Sequence, residues 1–209
     1  MRARTAIATR FTGPADPEGF PTASVWEMAS PICFDTDWQG LNADLQRATE
    51  VRLLWTPEDF YLRLDARYRT VTIFADADPN GRRDHLWDRD VCEAFLQPDP
   101  SKARQYKEFE VAPNGFWIDL DIAAGEKHDL RSGLRRRVEI EEANKRWRAE
   151  LALPMKCLTH QFDPSDQWRA NFYRVEGAEE PRFYSAWQPT HSAQPNFHVP
   201  EAFGWLVFK

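Results

Sequence analysis

The segment KEFEVAPNGFWIDLDI, residues 107–122, constrains the fold more than any other part of the sequence. Apolar residues occupy every second position on both sides of the central Asn114-Gly115 pair. A period of two is typical of strands with one buried face, and Asn-Gly is a favoured turn sequence in hairpins. The segment therefore predicts an antiparallel β-hairpin in which each strand turns one face towards an apolar core.

Short apolar runs separated by turn residues extend this pattern along the chain, so that roughly nine or ten short strands are predicted. The further candidate strands are residues 51–55, 60–66, 70–75, 90–97, 138–140, 147–153, 168–175, 183–187 and 205–208. Many short strands without long helices between them predict an all-β fold, a single-domain β-sandwich of the jelly-roll type over residues 25–209. Residues 1–24 mix Gly, Pro, Ala and Asp without periodicity, which predicts an irregular N-terminal arm.

Composition narrows the function classes. The hydrophobic fraction of 42% is enough for a sizeable core. The net charge of -6 and the lack of a basic block argue against nucleic acid as a partner. No apolar run approaches the roughly eighteen residues that a membrane span requires. The three cysteines lack metal-ligand spacing and predict no zinc site and no dense disulfide framework, although one pair could bridge in an oxidising compartment.

The N-terminal residues lead to an expected location. They include basic residues but no apolar stretch of the kind found in secretory signals. We therefore expect a cytoplasmic protein by default, and a secreted or periplasmic one if a leader was omitted from this sequence. The sequence leaves the oligomeric state open.

The chain contains 9 tryptophans, and two of them fall at the ends of predicted strands. Trp87 lies just before one strand and Trp187 at the end of another. An indole at a strand end can stack on the apolar face of a sugar ring, although the same position suits an indole that caps the core. Asn171 and Arg174 lie within a predicted strand, where they could bind vicinal hydroxyls or satisfy the protein's own backbone and carboxylates.

An alternative function is suggested by three glutamates, Glu93, Glu108 and Glu110. They lie on neighbouring strands of a plausible sheet, and hydrolysis of a glycosidic bond needs two carboxyl groups across a cleft. A glycan-processing enzyme or an enzyme-partner domain that uses carboxylates near Glu93 is therefore the alternative. Glu108 and Glu110 share one strand face, which is equally typical of a solvated strand. The sequence contains no motif of a serine hydrolase, a metalloprotease or a nucleotide-binding enzyme.

The residues bear on two cofactors, calcium and haem. The acidic segment 76–84, DADPNGRRD, predicts a turn in the first place and a calcium loop in the second. A haem site would need an axial Met or His pair, and a chain with only 3 methionines supports it weakly.

Seven segments, taken in order, resemble carbohydrate-binding module family 9 and its free-standing bacterial relatives. The segments are VRLLWTPEDFYLRLDARY, LWDRDVCEAFLQP, YKEFEVAPNGFWIDL, WRAELALPMKCL, WRANFYRVEG, YSAWQPT and FHVPEAFGWLVF, and they cover most of residues 25–209. The resemblance implies a jelly-roll β-sandwich and a non-catalytic protein that holds a chain end of a cellulose- or xylan-type oligo- or polysaccharide between two tryptophans. It also implies structural calcium, and no other cofactor.

The resemblance further implies roles for individual residues. Trp87 would be one stacking indole and Trp187 the opposing one. Glu93, six positions after Trp87, would accept hydrogen bonds from sugar hydroxyls. The other polar candidates are Asn171, Arg174, Tyr106 and Glu108.

Overall fold

The computed structural model describes residues 4–78 and 80–209, and this part of the chain forms thirteen β-strands and two short α-helices. The strands are β1 Thr5–Arg10, β2 Ile32–Phe34, β3 Thr49–Trp55, β4 Asp59–Arg67, β5 Val91–Gln97, β6 Gln105–Val111, β7 Trp117–Ala123, β8 Glu126–Asp129, β9 Arg135–Glu141, β10 Arg146–Pro154, β11 Trp168–Glu176, β12 Phe183–Ala186 and β13 Gly204–Phe208. The helices are α1 Ala23–Trp26 and α2 Met155–Leu158. Within the described ranges, neither helix is long and apolar enough to cross a membrane.

The strands form two sheets that curl around a common core. The first sheet has the order β8-β7-β6-β5-β11-β13-β1, and the second has the order β1-β3-β4-β10-β9, with β12 beside β11 and β2 beside β3. β1 belongs to both sheets, because residues 5–8 pair in parallel with β13 and residues 9–10 pair in parallel with β3. This arrangement confirms the predicted all-β sandwich.

The predicted hairpin is confirmed. β6 and β7 pair antiparallel, from Gln105 opposite Ala123 to Val111 opposite Trp117. Gly115 turns the chain with a φ of 82°, a left-handed conformation that glycine adopts without a steric penalty.

The main hydrophobic core lies between the two sheets. It takes alternate residues from each strand, such as Ala94 of β5 and Leu62 of β4, and it includes the buried indoles of Trp147 and Trp168. Removal of this apolar surface from water is the main favourable contribution to folding.

A second apolar cluster lies on the outer face of the first sheet. Phe95 of β5 and Tyr173 of β11 belong to it, and the loop residues Phe197 and Phe203 pack against them. All residues of β5 are therefore buried, some by the opposite sheet and the others by these loops. The loops leave one part of the outer face open as a cleft.

The N-terminal segment differs from the prediction. Residues 5–10 of the expected irregular arm, residues 1–24, form β1 between the two sheets, while residues 1–3 lie outside the described ranges. Ala6 and Ala8 are 0% exposed because their small side chains pack into the main core. Two alanines beside Gly- and Pro-rich sequence make too weak an alternation to indicate a strand.

Residues 70–75 also differ from the prediction, because they form no strand. Their backbone bonds to separate parts of the fold rather than to one neighbouring strand. The Thr72 carbonyl oxygen accepts from the Asp90 N–H at 2.9 Å, and the Phe74 carbonyl oxygen accepts from Asn114 Nδ2 at 3.0 Å. The Phe74 ring packs against the outer apolar cluster, so this β-branched run crosses the sheet as a loop.

Candidate functional site

A cleft of about 330 Å³ opens on the outer face of the first sheet. Its floor is formed by Glu93 of β5, Glu108 of β6 and Val175 of β11. Its walls are formed by Trp87, Lys127, Arg182, Tyr184 and residues 195–198. The volume is within the range of small-molecule pockets, and aromatic walls above a charged floor suit a ligand with apolar faces and polar edges.

Strand register brings three glutamates together in and beneath this floor. Glu93 lies opposite Glu110 in the β5–β6 ladder, and Glu108 is on the same face of β6 as Glu110. Their exposed fractions are 3% for Glu93, 1% for Glu108 and 0% for Glu110. One carboxylate oxygen from each residue lies within 4.8 Å of the other two. Three ionised carboxylates this close, and shielded from water, would repel one another.

Burial is the main influence on the pKa values of Glu93 and Glu110. It raises the pKa of Glu93 well above the usual value, and the adjacent Glu108 raises it further, while Lys127 and Arg182 lower it. Burial likewise raises the pKa of Glu110, with further contributions from Glu93 and Glu108. The floor of the cleft therefore favours the binding of a proton or of another positive group.

Trp87 forms one wall from a 3-10 turn, residues 86–88, that precedes β5. Leu86 anchors this turn in the outer apolar cluster, and Arg182 Nη1 donates to the Trp87 carbonyl oxygen at 2.8 Å. The indole is half-buried, and Lys127 Nζ lies 4.0 Å from its ring centroid. The Trp87 wall is thus an aromatic surface held in place by its turn, and the flexible side chain of Lys127 covers the ring.

Tyr184 of β12 supplies a second aromatic wall. Its hydroxyl donates to Glu180 Oε1 at 2.5 Å, and the Arg182 guanidinium carbon lies 4.9 Å from its ring centroid. Burial raises the pKa of Tyr184 to about 12, so the hydroxyl keeps its proton at neutral pH. Arg182 links this wall to the Trp87 turn because it contacts both.

Asn171 and Tyr173 position a third wall, residues 195–198. Asn171 Nδ2 donates to the Tyr173 hydroxyl at 2.8 Å, and that hydroxyl donates to the Phe197 carbonyl oxygen at 2.9 Å. The Tyr173 and Phe197 rings stack with centroids 4.2 Å apart. Asn171 Oδ1 accepts from two backbone N–H groups, so its polar atoms are all bonded within the protein.

An adjoining depression of about 320 Å³ shares Lys127 and His198 with the cleft. It is also lined by Arg104 and Tyr106, and the Tyr106 hydroxyl forms a 2.7 Å hydrogen bond with His198 Nδ1. Because the two cavities have a common border, an elongated ligand could extend from one into the other.

A larger groove of about 550 Å³ lies between α2 and the β6–β7 pair. Two ion pairs line it, Lys107 with Asp121 at 2.7 Å and Lys102 with Asp99 at 3.5 Å. Of the sugar-binding residues predicted from the sequence, this groove contains Tyr106 alone.

Three of the sugar-binding residues predicted from the sequence line the cleft, namely Trp87, Glu93 and Glu108. Tyr106 lines the adjoining depression. Asn171 lies behind the wall formed by residues 195–198, where it acts as a positioning residue rather than as a direct ligand.

Trp187 is not in the cleft, which corrects the expected pair of facing tryptophans. Its side chain is 4% exposed and belongs to the core between the sheets, with its ring centroid 5.6 Å from that of Phe172. Gly204 makes room for it, because a Cβ there would lie 2.6 Å from two indole atoms. The aromatic residue that β12 places in the cleft is Tyr184.

Arg174 also lies away from the cleft. Alternation along β11 turns Tyr173 and Val175 towards the outer face and Arg174 into the interior, where it is 0% exposed. Its Nη2 lies 3.8 Å from an Asp90 oxygen and 3.3 Å from a Glu176 oxygen. Arg174 therefore balances buried carboxylates, which was the structural alternative for this residue.

Sequence reasoning missed Lys127, Arg182 and Tyr184 as wall residues. Lys127 lies on β8, whose four residues are polar and exposed, so no apolar alternation indicates a strand there. The sequence position of Tyr184 could have indicated its place in the cleft. It lies in the same aromatic segment as Trp187 but with a different parity, and residues of different parity face opposite sides of a strand.

The acidic segment 76–84 forms a turn in its described part. Asp78 Oδ1 accepts from the backbone N–H groups of Asn80 and Arg82, each at 2.8 Å. The Asp78 carbonyl oxygen accepts from the Gly81 N–H at 2.9 Å. The Asp78 side chain is thus engaged with its own backbone, as in an Asx turn.

Comparison with known proteins produces a family match. The family model for carbohydrate-binding family 9 matches residues 48–208. An extracellular protein from Arthroderma benhamiae is 22% identical over 178 residues, which cover 77% of this chain and 78% of that protein.

Two solved structures share the fold. A protein of proposed carbohydrate-binding function from Bacteroides uniformis superposes with a TM-score of 0.78 at 16% identity, over 99% of this chain and 100% of that chain. A family 9 carbohydrate-binding module from Caldicellulosiruptor kristjanssonii, in complex with cellotriose, superposes with a TM-score of 0.71 at 14% identity, over 99% of this chain and 94% of that chain.

Proposed function

The chain belongs to carbohydrate-binding family 9, and from that premise we propose that it is a non-catalytic protein that binds a chain end of a cellulose- or xylan-type sugar in the Trp87 cleft. One observation carries the proposal. A half-buried indole forms the wall of a cleft of small-molecule size whose floor consists of carboxyl groups. This is the combination that a pyranose requires, because its ring has apolar faces and its edge carries hydroxyls.

The aromatic walls would bind the apolar faces of the sugar ring. Trp87 supplies one stacking surface once the Lys127 side chain moves off its ring. Tyr184 supplies the second stacking surface, in place of Trp187. Each stack contributes on the order of 1 kcal/mol beyond the area that it buries.

The charged groups would bind the hydroxyls at the edge of the ring. Glu93 and Glu108 line the floor as hydrogen-bond acceptors, and Lys127 and Arg182 line the walls as donors. The cellotriose-bound module shares the fold and supports the choice of a cellulose-type ligand. The adjoining depression offers room for the next sugar unit along the chain.

Isothermal titration with glucose, cellobiose, cellotriose and xylobiose tests the proposal. We expect one sugar chain per protein, and an affinity at least about tenfold lower in Trp87→Ala, since loss of a stack and of its buried area removes about 1.4 kcal/mol or more. Trp205→Ala is the matched control. Trp205 is also half-buried with a cation, Arg169, over its ring, but it lies outside the cleft.

Two results would contradict the proposal. One is an absence of binding heat with every sugar of the panel in the folded protein. The other is equal loss of affinity in Trp87→Ala and Trp205→Ala, which would show that the cleft has no special role. Release of reducing ends from an oligosaccharide that depends on Glu93 would favour the enzymatic alternative.

A further inference from the structure

We propose that the depression beside the Trp87 cleft binds an anionic sugar unit, one that carries a carboxylate or a sulfate ester, next to the neutral unit in the cleft. The inference rests on the proposed sugar binding and names the class of oligosaccharide that would occupy the same site. The cleft and the depression share Lys127 and His198, but the charges that line them differ.

The lining of the depression carries more positive than negative charge. Of the described residues that line it, Arg104 and Lys127 are cations and Glu201 alone is a carboxylate. In the cleft, by contrast, the carboxyl groups of Glu93 and Glu108 form the floor, where an anion would find no positive partner. An anionic group on the ligand is therefore attracted to the depression rather than to the cleft floor.

The two cations of the depression are not paired with carboxylates of the described residues, whereas Lys107 of the adjacent β6 pairs with Asp121 at 2.7 Å. Lys127 Nζ instead lies 4.0 Å from the ring centroid of Trp87. A sugar ring that stacks on Trp87 would displace this ammonium group from the indole. An anion in the depression would then provide Lys127 with a new partner.

Arg104 gives the depression a directional donor. It lies directly before β6, and its carbonyl oxygen accepts from the Ala124 N–H at 3.2 Å, which extends the β6–β7 pairing and holds its backbone in place. Its side chain is exposed. A guanidinium binds a carboxylate or a similar oxyanion through two parallel N–H bonds, which an uncharged hydroxymethyl group cannot accept in the same way.

Tyr106 and His198 add a further hydrogen-bond donor. Burial raises the pKa of Tyr106 and lowers that of His198, so the hydroxyl keeps its proton and the imidazole is uncharged at neutral pH. The pair then carries two polar hydrogens, and the 2.7 Å bond between the Tyr106 hydroxyl and His198 Nδ1 uses one of them. The other hydrogen, on His198 Nε2 or on the hydroxyl, is left for a ligand oxygen.

The depression also has the size and the apolar surface that a sugar unit requires. Its volume of about 320 Å³ is close to the 330 Å³ of the cleft. Ile122 of β7 and Pro200 add apolar side chains to its lining, which suit the apolar faces of a pyranose ring.

Matched disaccharides test this inference on the full chain. Cellobiouronic acid is cellobiose with a carboxylate in place of one hydroxymethyl group, and cellobiose 6′-sulfate carries a sulfate ester at the same position. In isothermal titration at low ionic strength, we expect at least one of the two to bind at least about tenfold more tightly than cellobiose. This preference should shrink at about 1 M salt, because exposed charges are screened.

Two variants and a matched control assign the preference to the depression. Arg104→Gln should lower the ratio of anionic to neutral affinity at least about threefold, since Lys127 alone then faces the anion. The double variant Arg104→Gln/Lys127→Gln should bring this ratio close to one. Arg67→Gln removes the same charge from an exposed residue of β4, in the second sheet, and should keep the wild-type ratio.

The outcomes separate this inference from the proposed function. Equal, measurable affinities for cellobiose and for both anionic disaccharides would overturn the anionic subsite alone, as would a preference that Arg104→Gln leaves unchanged. Binding of an anionic disaccharide that depends on Arg104, without binding of any neutral sugar, would contradict only the proposed neutral ligand. An absence of binding by every sugar would overturn both.

Discussion

Replacement of Trp187 tests whether this indole belongs to the core or to the sugar site. The side chain is 4% exposed, packs against Phe172 and lies beneath Gly204. A buried Trp→Ala substitution costs about 3–5 kcal/mol, because it removes buried apolar surface and leaves a cavity. In a chain of this size each kcal/mol lowers Tm by about 2–4 °C. Trp187→Ala should therefore lower Tm by roughly 6–20 °C.

The more informative variant is Trp187→Phe. It keeps an aromatic ring against Phe172 and loses only part of the buried volume, so its Tm should fall by less than that of Trp187→Ala. Its affinity for the best sugar of the panel should stay within about twofold of wild type, since a 0.4 kcal/mol change corresponds to a factor of two. Calorimetric melting and isothermal titration well below Tm measure the two quantities on the same sample.

The comparison with Trp87→Ala completes this test. Trp87 is half-buried at a cleft wall, so its removal should reduce affinity with a smaller loss of Tm than Trp187→Ala. The reasoning would be refuted if Trp187→Phe melted like wild type and had lost its sugar affinity. That result would place the Trp187 indole against the ligand.

Three further predictions concern packing, buried charge and thiols. Gly204→Ala should lower the free energy of unfolding by about 1–3 kcal/mol in urea titrations, because the new methyl group would lie 2.6 Å from ring atoms of Trp187. Addition of Trp187→Phe to this variant should restore part of the lost stability. Arg174→Leu should cost about 3–5 kcal/mol in the same assay, since it leaves the buried Asp90 carboxylate without its cation and leaves Glu176 with Arg47 alone. A loss below about 1 kcal/mol would contradict this role. Thiol labelling of the native protein at pH 8, followed by peptide mapping, should modify the exposed Cys33 first and leave Cys92 unmodified. The reason is that Cys92 is buried and that burial raises the pKa of its thiol to about 12. Equal labelling of both cysteines would show that the sheet opens readily.

The strand content and the main hairpin could be predicted from the sequence because a period of two is a local property. The ladder from Gln105–Ala123 to Val111–Trp117 follows from that alternation and from the Asn114-Gly115 turn. β1 could not be predicted in the same way. Its two alanines become core residues only because both sheets close around them, and these contacts join residues 5–10 to strands about 50 and 200 positions away.

The candidate site was likewise predictable only in part. Trp87, Glu93 and Glu108 were placed together from sequence, because the first lies in the turn before β5 and the others lie on paired strands. The two alternatives for Glu108 and Glu110, carboxyl groups in a cleft or a solvated strand face, could not be separated from the sequence. Alternation shows that two residues share a face but not what covers that face.

The sequence by itself therefore determined the all-β fold, the β6–β7 hairpin and the family resemblance that pointed to a sugar ligand. Only the tertiary structure decided that Trp187 lies in the core, that Tyr184 lies in the cleft, and that three glutamates are buried together beneath it. The physical reason is that the side-chain period belongs to each strand alone. The burial of each face depends on which distant strands and loops pack against it.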